Sequence, residues 1–407
     1  MTGKPHIHAS DLRGYGRLAV DATIGLTRVI ETMHHNLLRV PGVFGTATHE
    51  PAQGLTGMVY RSIRGVTRLV GGGVDTLLAQ LLPAFVHPAS SAERETVMAA
   101  LNGVLGDHLA ASGNPLAIPM HLRRDGVPLE LTRPALAEAI PDPTGQGPTG
   151  KILLLAHGLC MNDLQWRRKG HDHGAALAAD AGFTPVYLHY NSGLHVSVNG
   201  RAFAHRIEQL LQAWPVPVED VVIIGHSMGG LVTRSACHYG KLAGHAWPKQ
   251  LRKIVFLGTP HRGAPLERSG NWLDSLLDSS PYTAAFSRLG KIRSAGITDL
   301  RHGSLLDEDW LDRDRFASTH EQRHPVAWPR GVKCYAMAAS VARRSGNAGQ
   351  QLPGDGLVPV GSALGLDEHS GDKQGIPKSR QWIGYGMHHM DLLDRPDVYA
   401  QIRLWLD

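Results

Sequence analysis

Residues 221–230 read Val221-Val222-Ile223-Ile224-Gly225-His226-Ser227-Met228-Gly229-Gly230, and this stretch decides the fold. Four consecutive apolar residues suit a strand of a parallel sheet buried on both faces. The run then passes through Gly-x-Ser-x-Gly into a helical apolar pattern over 231–239, so a strand turns sharply into a helix. Such a turn crowds the positions two before and two after its apex, which only small residues can fill; hence Gly225 and Gly229. Ser227 stands at the apex, its hydroxyl exposed at the carboxyl edge of the sheet and a helix N-terminus beneath it to favour negative charge. Ser227 is the candidate nucleophile, with His226 beside it in the same turn.

The same texture repeats outward. Strands are expected at 152–156, 186–189, 221–224, 254–257, 334–339 and 381–385, with helices at 175–181, 201–214, 231–239 and 396–406. Strands alternating with helices imply an α/β architecture, a doubly wound, mostly parallel sheet covered on both faces. Ahead of it, 118–124 and 127–133 flank Asp125-Gly126, the pattern of a hairpin with a type I′ turn. Pro141, Pro143 and Pro148 mark a loop. Between Pro260 and Val332 an insertion carries Trp272-Leu273, Leu276-Leu277, Tyr282, Phe286 and Leu289. A structureless loop of that length is uncommon in a compact domain. A helical lid over Ser227, spanning about 264–331 and apolar on its underside, is expected instead. Trp166, Trp272, Trp310 and Trp328 are aromatic candidates for the pocket.

Residues 1–115 read differently. Leu12, Leu18, Ala22, Leu26, Val29, Ile30, Met33 and Leu37 recur at helical steps, and Met58, Ile63, Val66 and Leu69 begin a second helix. Ser90 and Glu93 look like a capping pair ahead of a third, through Val97, Leu101, Val104, Leu105 and Leu109. The expected organisation is a helical appendage over 1–115 and a main domain over 116–407. The plain role of the appendage is a bundle packed on that domain. Its arginines (Arg13, Arg17, Arg28, Arg61, Arg64, Arg68) also suit peripheral contact with a membrane or lipid surface.

Composition narrows the class. At 407 residues, 42% hydrophobic and 19% charged, the chain has ample material for a core and is not intrinsically disordered. Lys plus Arg exceed Asp plus Glu by 41 − 36 = 5, with no basic run long enough for a nucleic-acid stripe. Cys160, Cys237 and Cys334 are too few for a disulfide framework, which favours a reducing compartment. The first residues show no apolar core of a signal peptide, and no apolar run is long enough to span a bilayer. A cytoplasmic address is expected. His171-Asp172-His173 invites a metal, but adjacent side chains rarely converge on one ion, and Asp172 as a helix cap explains it as well. No metal ligands are assigned.

Serine attack on a carbonyl needs donors for the developing oxyanion. Met228 N–H, directly after the nucleophile, is one. The second is expected after the strand ending Ala156-His157-Gly158-Leu159-Cys160, where Gly158 lets the chain turn so that Leu159 N–H faces Ser227; Cys160 is the lesser choice. His157 reads as a structural histidine bonded to the loop backbone. On a sheet of this kind the acid and then the base follow the serine. Gly354-Asp355-Gly356 makes a tight loop holding one carboxylate, so Asp355 is the acid. Gly386-Met387-His388-His389 offers two histidines for the base, and Asp391, too close to compete as the acid, is expected to cap the final helix.

Together these residues resemble the α/β-hydrolase superfamily, in its bacterial lipase/esterase and GPI-inositol-deacylase-like group. Four stretches carry the resemblance: AHGL at 156–159, GHSMGGL at 225–231, LGTPHRGAP at 257–265 and GDGLVPVGSA at 354–363. The closing HHMDLLDRPDVYAQIRLWL at 388–406 is similar to the ending of that group, where the catalytic histidine directly precedes a hydrophobic-Asp-Leu-Leu run. The resemblance implies His389 as the base, a lid after LGTPHRG, and a serine carboxylic-ester hydrolase using no cofactor on a small-molecule or lipid ester. Two alternatives are an acyltransferase or thioesterase with the same triad, and a binding or scaffold protein with a vestigial hydrolase domain.

Overall fold

The structure, a computed structural model, describes residues 9–38, 54–81, 91–140, 147–264, 294–311, 323–343, 353–366 and 375–407. The chain divides into two compact units: Met1–Arg94 with Leu109–Ala117, and Glu95–His108 with Ile118–Asp407. The division falls inside the third helix.

In the smaller unit α1 (Ala9–Leu38) and α2 (Gly54–Leu81) run antiparallel, because Arg13 and Arg17 both reach Asp75 while Val20, later in α1, meets Gly71, earlier in α2. Among the described residues no helix is long and apolar enough to cross a membrane. The third helix, α3 (Ala92–Ala111), begins one residue later than its sequence pattern suggests. Its first turn is capped by Ser91, whose hydroxyl accepts the Arg94 N–H at 3.2 Å; Ser90 lies outside the described residues.

The larger unit is built on an eight-stranded sheet in the order β2-β1-β4-β3-β5-β6-β7-β8. The strands are β1 (His121–Arg124), β2 (Val127–Pro128), β3 (Lys151–Ala156), β4 (Thr184–His189), β5 (Asp220–His226), β6 (Leu251–Leu257), β7 (Lys333–Ser340) and β8 (Gln381–Tyr385). From β3 to β8 every pairing is parallel; β1 runs antiparallel to both β2 and β4. Asp125 and Gly126 both take positive φ (50° and 77°), as a type I′ turn requires. The second hairpin strand stops at Pro128, well short of 133, where α4 (Arg133–Ala139) starts with a proline in its first turn.

Both sheet faces are buried. Leu153, Leu155, Val222, Ile224, Val255, Leu257 and Met337 share a core with α5 (His173–Ala181) and the closing helix. Ile152, Leu154, Val221, Ile223 and Ile254 are equally buried, on the face where α6 (Val196–Ala213) and α7 (Met228–Leu242) pack. Burial on both faces is the reason these strands carry no polar alternation. The central part of α3 is seated against the loops after β3 and β4. A Cβ on Gly103 would stand 2.2 Å from Cys160 Sγ, and one on Gly193 would stand 2.1 Å from the Asn102 carbonyl.

The Trp272 to Leu289 patches of the expected lid lie outside the described residues. The part of the insertion that is described is bolted to the body. Within α8 (Ala295–His302), the Asp299 carboxylate accepts the Val196 N–H at 2.7 Å and faces His195 Nδ1 at 3.0 Å. Farther on, Asp307 pairs with Arg201 and takes the Ser197 hydroxyl at 2.7 Å.

A methyl group at Gly193 would meet helix backbone that cannot rotate away. Gly193→Ala is expected to cost about 1–3 kcal/mol, several degrees of Tm in a thermal melt. An unchanged Tm would show that α3 is not seated there.

Candidate active site

The sheet order brings the site together. From β3 the chain goes outward to β4, then crosses back to place β5 on the other side of β3. Loops leaving β3 and β5 therefore diverge, and a crevice opens at the carboxyl ends of these neighbours, where open α/β sheets bind ligands. In register, Ala156 pairs with Gly225, so the two loops start at the same level.

Ser227 occupies the apex of the turn with φ 52° and ψ −122°, a left-handed φ that a side chain normally avoids. Its N–H donates to the Leu257 carbonyl at 2.8 Å, which locks the strained residue to β6. The glycines around it are sterically required. A Cβ on Gly225 would lie 2.7 Å from Gly230 Cα, and one on Gly229 only 2.1 Å from the Ala156 carbonyl oxygen. Gly230 is equally constrained, 2.0 Å from Thr259 Oγ1, which the motif alone does not reveal. Met228 is the first residue of α7.

After β3, Gly158 brings backbone against the turn: its Cβ would stand 3.1 Å from both Ser227 Cβ and His226 Nδ1. Leu159 follows, fully buried. The neighbouring Cys160 N–H is taken by Ser192 Oγ at 3.0 Å, so the lesser candidate for the oxyanion already has a partner. Burial pushes the Cys160 thiol up to about 12. His157 bonds the Gly158 carbonyl through Nδ1 at 2.9 Å and stacks on Tyr190 at 4.3 Å, the structural role expected of it. Its burial lowers its pKa to about 3.

Asp355 is held in its own loop. One carboxylate oxygen, Oδ1, accepts the N–H groups of Leu357 (2.9 Å) and Val358 (2.8 Å). Gly356 turns the loop with φ 96°. The other oxygen, Oδ2, lies 2.7 Å from His389 Nδ1, with both side chains buried. A carboxylate only accepts, so Nδ1 carries the proton and Nε2 is left as an acceptor. Nε2 is buried and has no partner among the described residues. His388 is exposed. Asp391 does not cap the final helix, α9 (Pro396–Leu406), whose N-cap is Arg395, without a side-chain cap. It accepts the His388 N–H at 2.9 Å and so closes the short 3-10 turn that begins at His389.

Sequence reading did not anticipate what surrounds His389. Gly258, with φ 57°, leaves room for the imidazole: a Cβ there would stand 2.9 Å from His389 Cε1. His226 packs its ring 4.7 Å from that of His389, with the Trp166 indole edge-on at 6.4 Å. His173 bonds the Leu392 carbonyl through Nε2 at 2.9 Å and anchors the same turn. That accounts for His171-Asp172-His173. His171 meets His173 at 2.8 Å, while Asp172 caps α5 through the Ala175 N–H at 3.0 Å. Among the described residues no group of three His, Cys, Asp or Glu is disposed to hold a metal. LGTPHRG and GDGLVPVGSA are tied together by Ser362, whose hydroxyl accepts the Arg262 N–H at 3.1 Å and donates to the Gly263 carbonyl at 2.7 Å. Of the other candidate pocket tryptophans, Trp310 stacks on His195 at 3.7 Å and Trp328 lies under the Arg234 guanidinium at 4.3 Å, while Trp272 is outside the described residues.

Residues 148–328 match the family described as the PGAP1-like alpha/beta domain. The match covers less than half of the chain and is consistent with the resemblance to the α/β-hydrolase superfamily. That match includes Ser227 and stops short of Asp355 and His389. Among solved structures, this chain is similar to the Bacillus licheniformis lipase BlEst2 in mature form, at 16% identity and TM-score 0.41, over 64% of this chain and 94% of that one. It is also similar to a thermophilic esterase from Thermogutta terrifontis, at 14% and 0.37, over 64% and 90% of the two chains. Aspergillus fumigatus lipase B is similar at 12% and 0.37, over 70% and 55%. No curated protein matches the sequence.

Burial holds His157, His173, His226 and His261 below the ordinary 6.5, His173 at about 4 and His226 and His261 well down. Folded, these imidazoles stay neutral; unfolded, they take up protons as pH drops through about 6.5. The stability they contribute is therefore present above that pH and is lost as pH falls from there toward 4. Thermal melts should give a flat Tm from pH 8 to 7 and a steady decline below 6.5. A Tm unchanged down to pH 4.5 would contradict this account of the buried histidines.

Proposed function

We propose that this protein is a hydrolase that cleaves carboxylic esters by serine catalysis, with Ser227 as nucleophile, His389 as base and Asp355 as its orienting acid. The observation that carries the reading is the buried Asp355–His389 pair, which leaves Nε2 as a bare acceptor on a ring packed against His226, the residue next to Ser227. The strained serine at the carboxyl edge of β5 supports it further.

In this reading His389 Nε2 takes the Ser227 proton as Oγ attacks the ester carbonyl. Negative charge on the carbonyl oxygen is held by the N–H groups of Met228, at the positive end of α7, and Leu159. The tetrahedral intermediate collapses, the ester C–O bond breaks, and the alcohol leaves with the proton from His389. Water then attacks the acyl-enzyme, giving its proton to His389, and releases the acid with Ser227 restored. His157, Gly158, Gly225, His226 and Gly229 shape the site without touching the reacting atoms. No step calls for a metal or cofactor. The substrate class is a small-molecule or lipid ester.

Hydrolysis of p-nitrophenyl esters from acetyl to palmitoyl tests the proposal. Ser227→Ala and His389→Ala are expected to lower kcat by about 10⁴-fold or more, and Asp355→Asn by about 10⁴-fold through loss of the correct tautomer. Ser227→Ala turning over like wild type would remove the mechanism.

A further inference from the structure

Among the described residues four that are not glycine take positive φ, and two of them stand at the candidate active site: Ser227 after β5 and Cys160 after β3. The strain at Ser227 belongs to the nucleophile turn. Cys160, with φ 58°, takes no part in the proposed chemistry, since its thiol is buried and its N–H is already bonded. A side chain in this left-handed region persists only where its surroundings over-determine it. Two contacts do so here. Ser192, buried on the loop after β4, accepts the Cys160 N–H at 3.0 Å through its hydroxyl. On the other side the Cys160 side chain fills a notch in α3 left by Gly103. A Cβ on Gly103 would stand 2.2 Å from Sγ and 3.0 Å from the Cys160 nitrogen and Cα. Sγ also lies 3.9 Å from the Ala100 carbonyl of the same helix. The loop of Ser192 is fixed in turn. Asn191 donates its side-chain amide to the Gly106 carbonyl at 2.9 Å, and the Gly296 N–H of α8 bonds the Gly193 carbonyl at 3.0 Å.

What this strain secures is the residue just before it. Leu159 joins two peptide groups, and both are held. The group that carries its N–H has its carbonyl, that of Gly158, bonded to His157 Nδ1 at 2.9 Å. The group that follows has its N–H, that of Cys160, bonded to Ser192. Peptide groups are planar, so two fixed planes leave no freedom in the φ and ψ of the residue between them. Among the described residues the Leu159 N–H itself has no acceptor. An oxyanion donor needs this preorganisation: it must point at the developing charge in advance and cost no reorganisation during the reaction. We propose that Ser192 is a positioning residue of the oxyanion hole. Together with the Gly103 notch of α3 it holds Cys160 left-handed and so keeps the Leu159 N–H directed at the reacting carbonyl. The proposal rests on the ester-hydrolase reading, with Leu159 as a donor.

The test is steady-state hydrolysis of the p-nitrophenyl ester that wild type turns over fastest, with Ser227→Ala as the blank. Rates are expressed per active site, counted by complete labelling with a fluorophosphonate. Ser192→Ala should lower kcat by about 10- to 100-fold, less than the loss of a whole oxyanion donor, with KM changed by under about threefold. Affinity for an alkyl trifluoromethyl ketone, whose hemiketal oxygen occupies the same hole, should fall in step with kcat/KM. A merely structural role would lower Tm and the number of titrated sites and leave kcat per site and ketone affinity alone. In Ser192→Ala/Cys160→Gly the glycine takes the left-handed φ without strain, so kcat should recover about threefold or more over Ser192→Ala. Should Ser192→Ala not fold, Cys160→Gly against Cys160→Ala carries the test: both empty the notch, and glycine should keep the higher kcat. The proposal is overturned by wild-type kcat per site in Ser192→Ala, by unchanged ketone affinity, or by no advantage of glycine at position 160. Wild type that turns over no ester brings down the ester-hydrolase reading and this proposal with it; active wild type matched by Ser192→Ala brings down the proposal alone.

Discussion

A single carbonyl governs the geometry of this protein. The Ala156 oxygen lies where any side chain at position 229 would have to go, 2.1 Å from a Cβ built there. Helix α7 can start beside β3 only because Gly229 has no side chain, and Gly225 and Gly230 permit the same closeness on either side of the turn. With α7 so near the sheet, Ser227 is forced into φ 52° and tied to the Leu257 carbonyl at 2.8 Å. Strain of this kind costs on the order of 1–3 kcal/mol and persists only where the surroundings over-determine it. Here the apolar strands β3, β5 and β6 and the covering helices do so.

Around the turn the protein arranges histidines in two chemically different ways. His389 has one ring nitrogen committed to a carboxylate and the other without a partner among the described residues, which makes the ring directional. Its neighbour His226 has no side-chain hydrogen-bond partner at either nitrogen among the described residues and is held neutral by burial, an uncharged ring packed beside that of His389. His157 and His173 fix backbone, the first at the Gly158 carbonyl and the second at the Leu392 carbonyl. The loops carrying the candidate oxyanion donor and the candidate base are thus both pinned by neutral imidazoles. Acidification strikes these supports.

Much of the scaffold was legible because parallel strands buried on both faces leave an unbroken apolar run: β5 and β8 lie where the sequence placed them, β5 longer at both ends. The tight loop that holds Asp355 was legible from its flanking glycines, and the helix cap at Asp172 from its place before a helix. Failures came where one residue of register matters or where partners are distant in sequence. Ser91 rather than Ser90 caps α3, since two adjacent serines look alike until the helix start is known. Pro128 and Pro134 bracket the end of a strand that residue pattern alone would have extended to 133. Gly258 serves His389 across 131 residues of chain, a contact no local pattern encodes. The arginines of α1 looked available for lipid, whereas Asp75 on α2 takes two of them.

Covalent labelling reads most directly whether Ser227 is activated by His389 in the folded site, as proposed. Native protein treated with a fluorophosphonate should gain one adduct by intact mass, mapped to Ser227 by peptide analysis. The same treatment of His389→Ala or of protein unfolded in guanidinium should give none, because an ordinary serine hydroxyl is a poor nucleophile. An adduct on a different serine, or equal labelling of native and His389→Ala protein, would contradict the account.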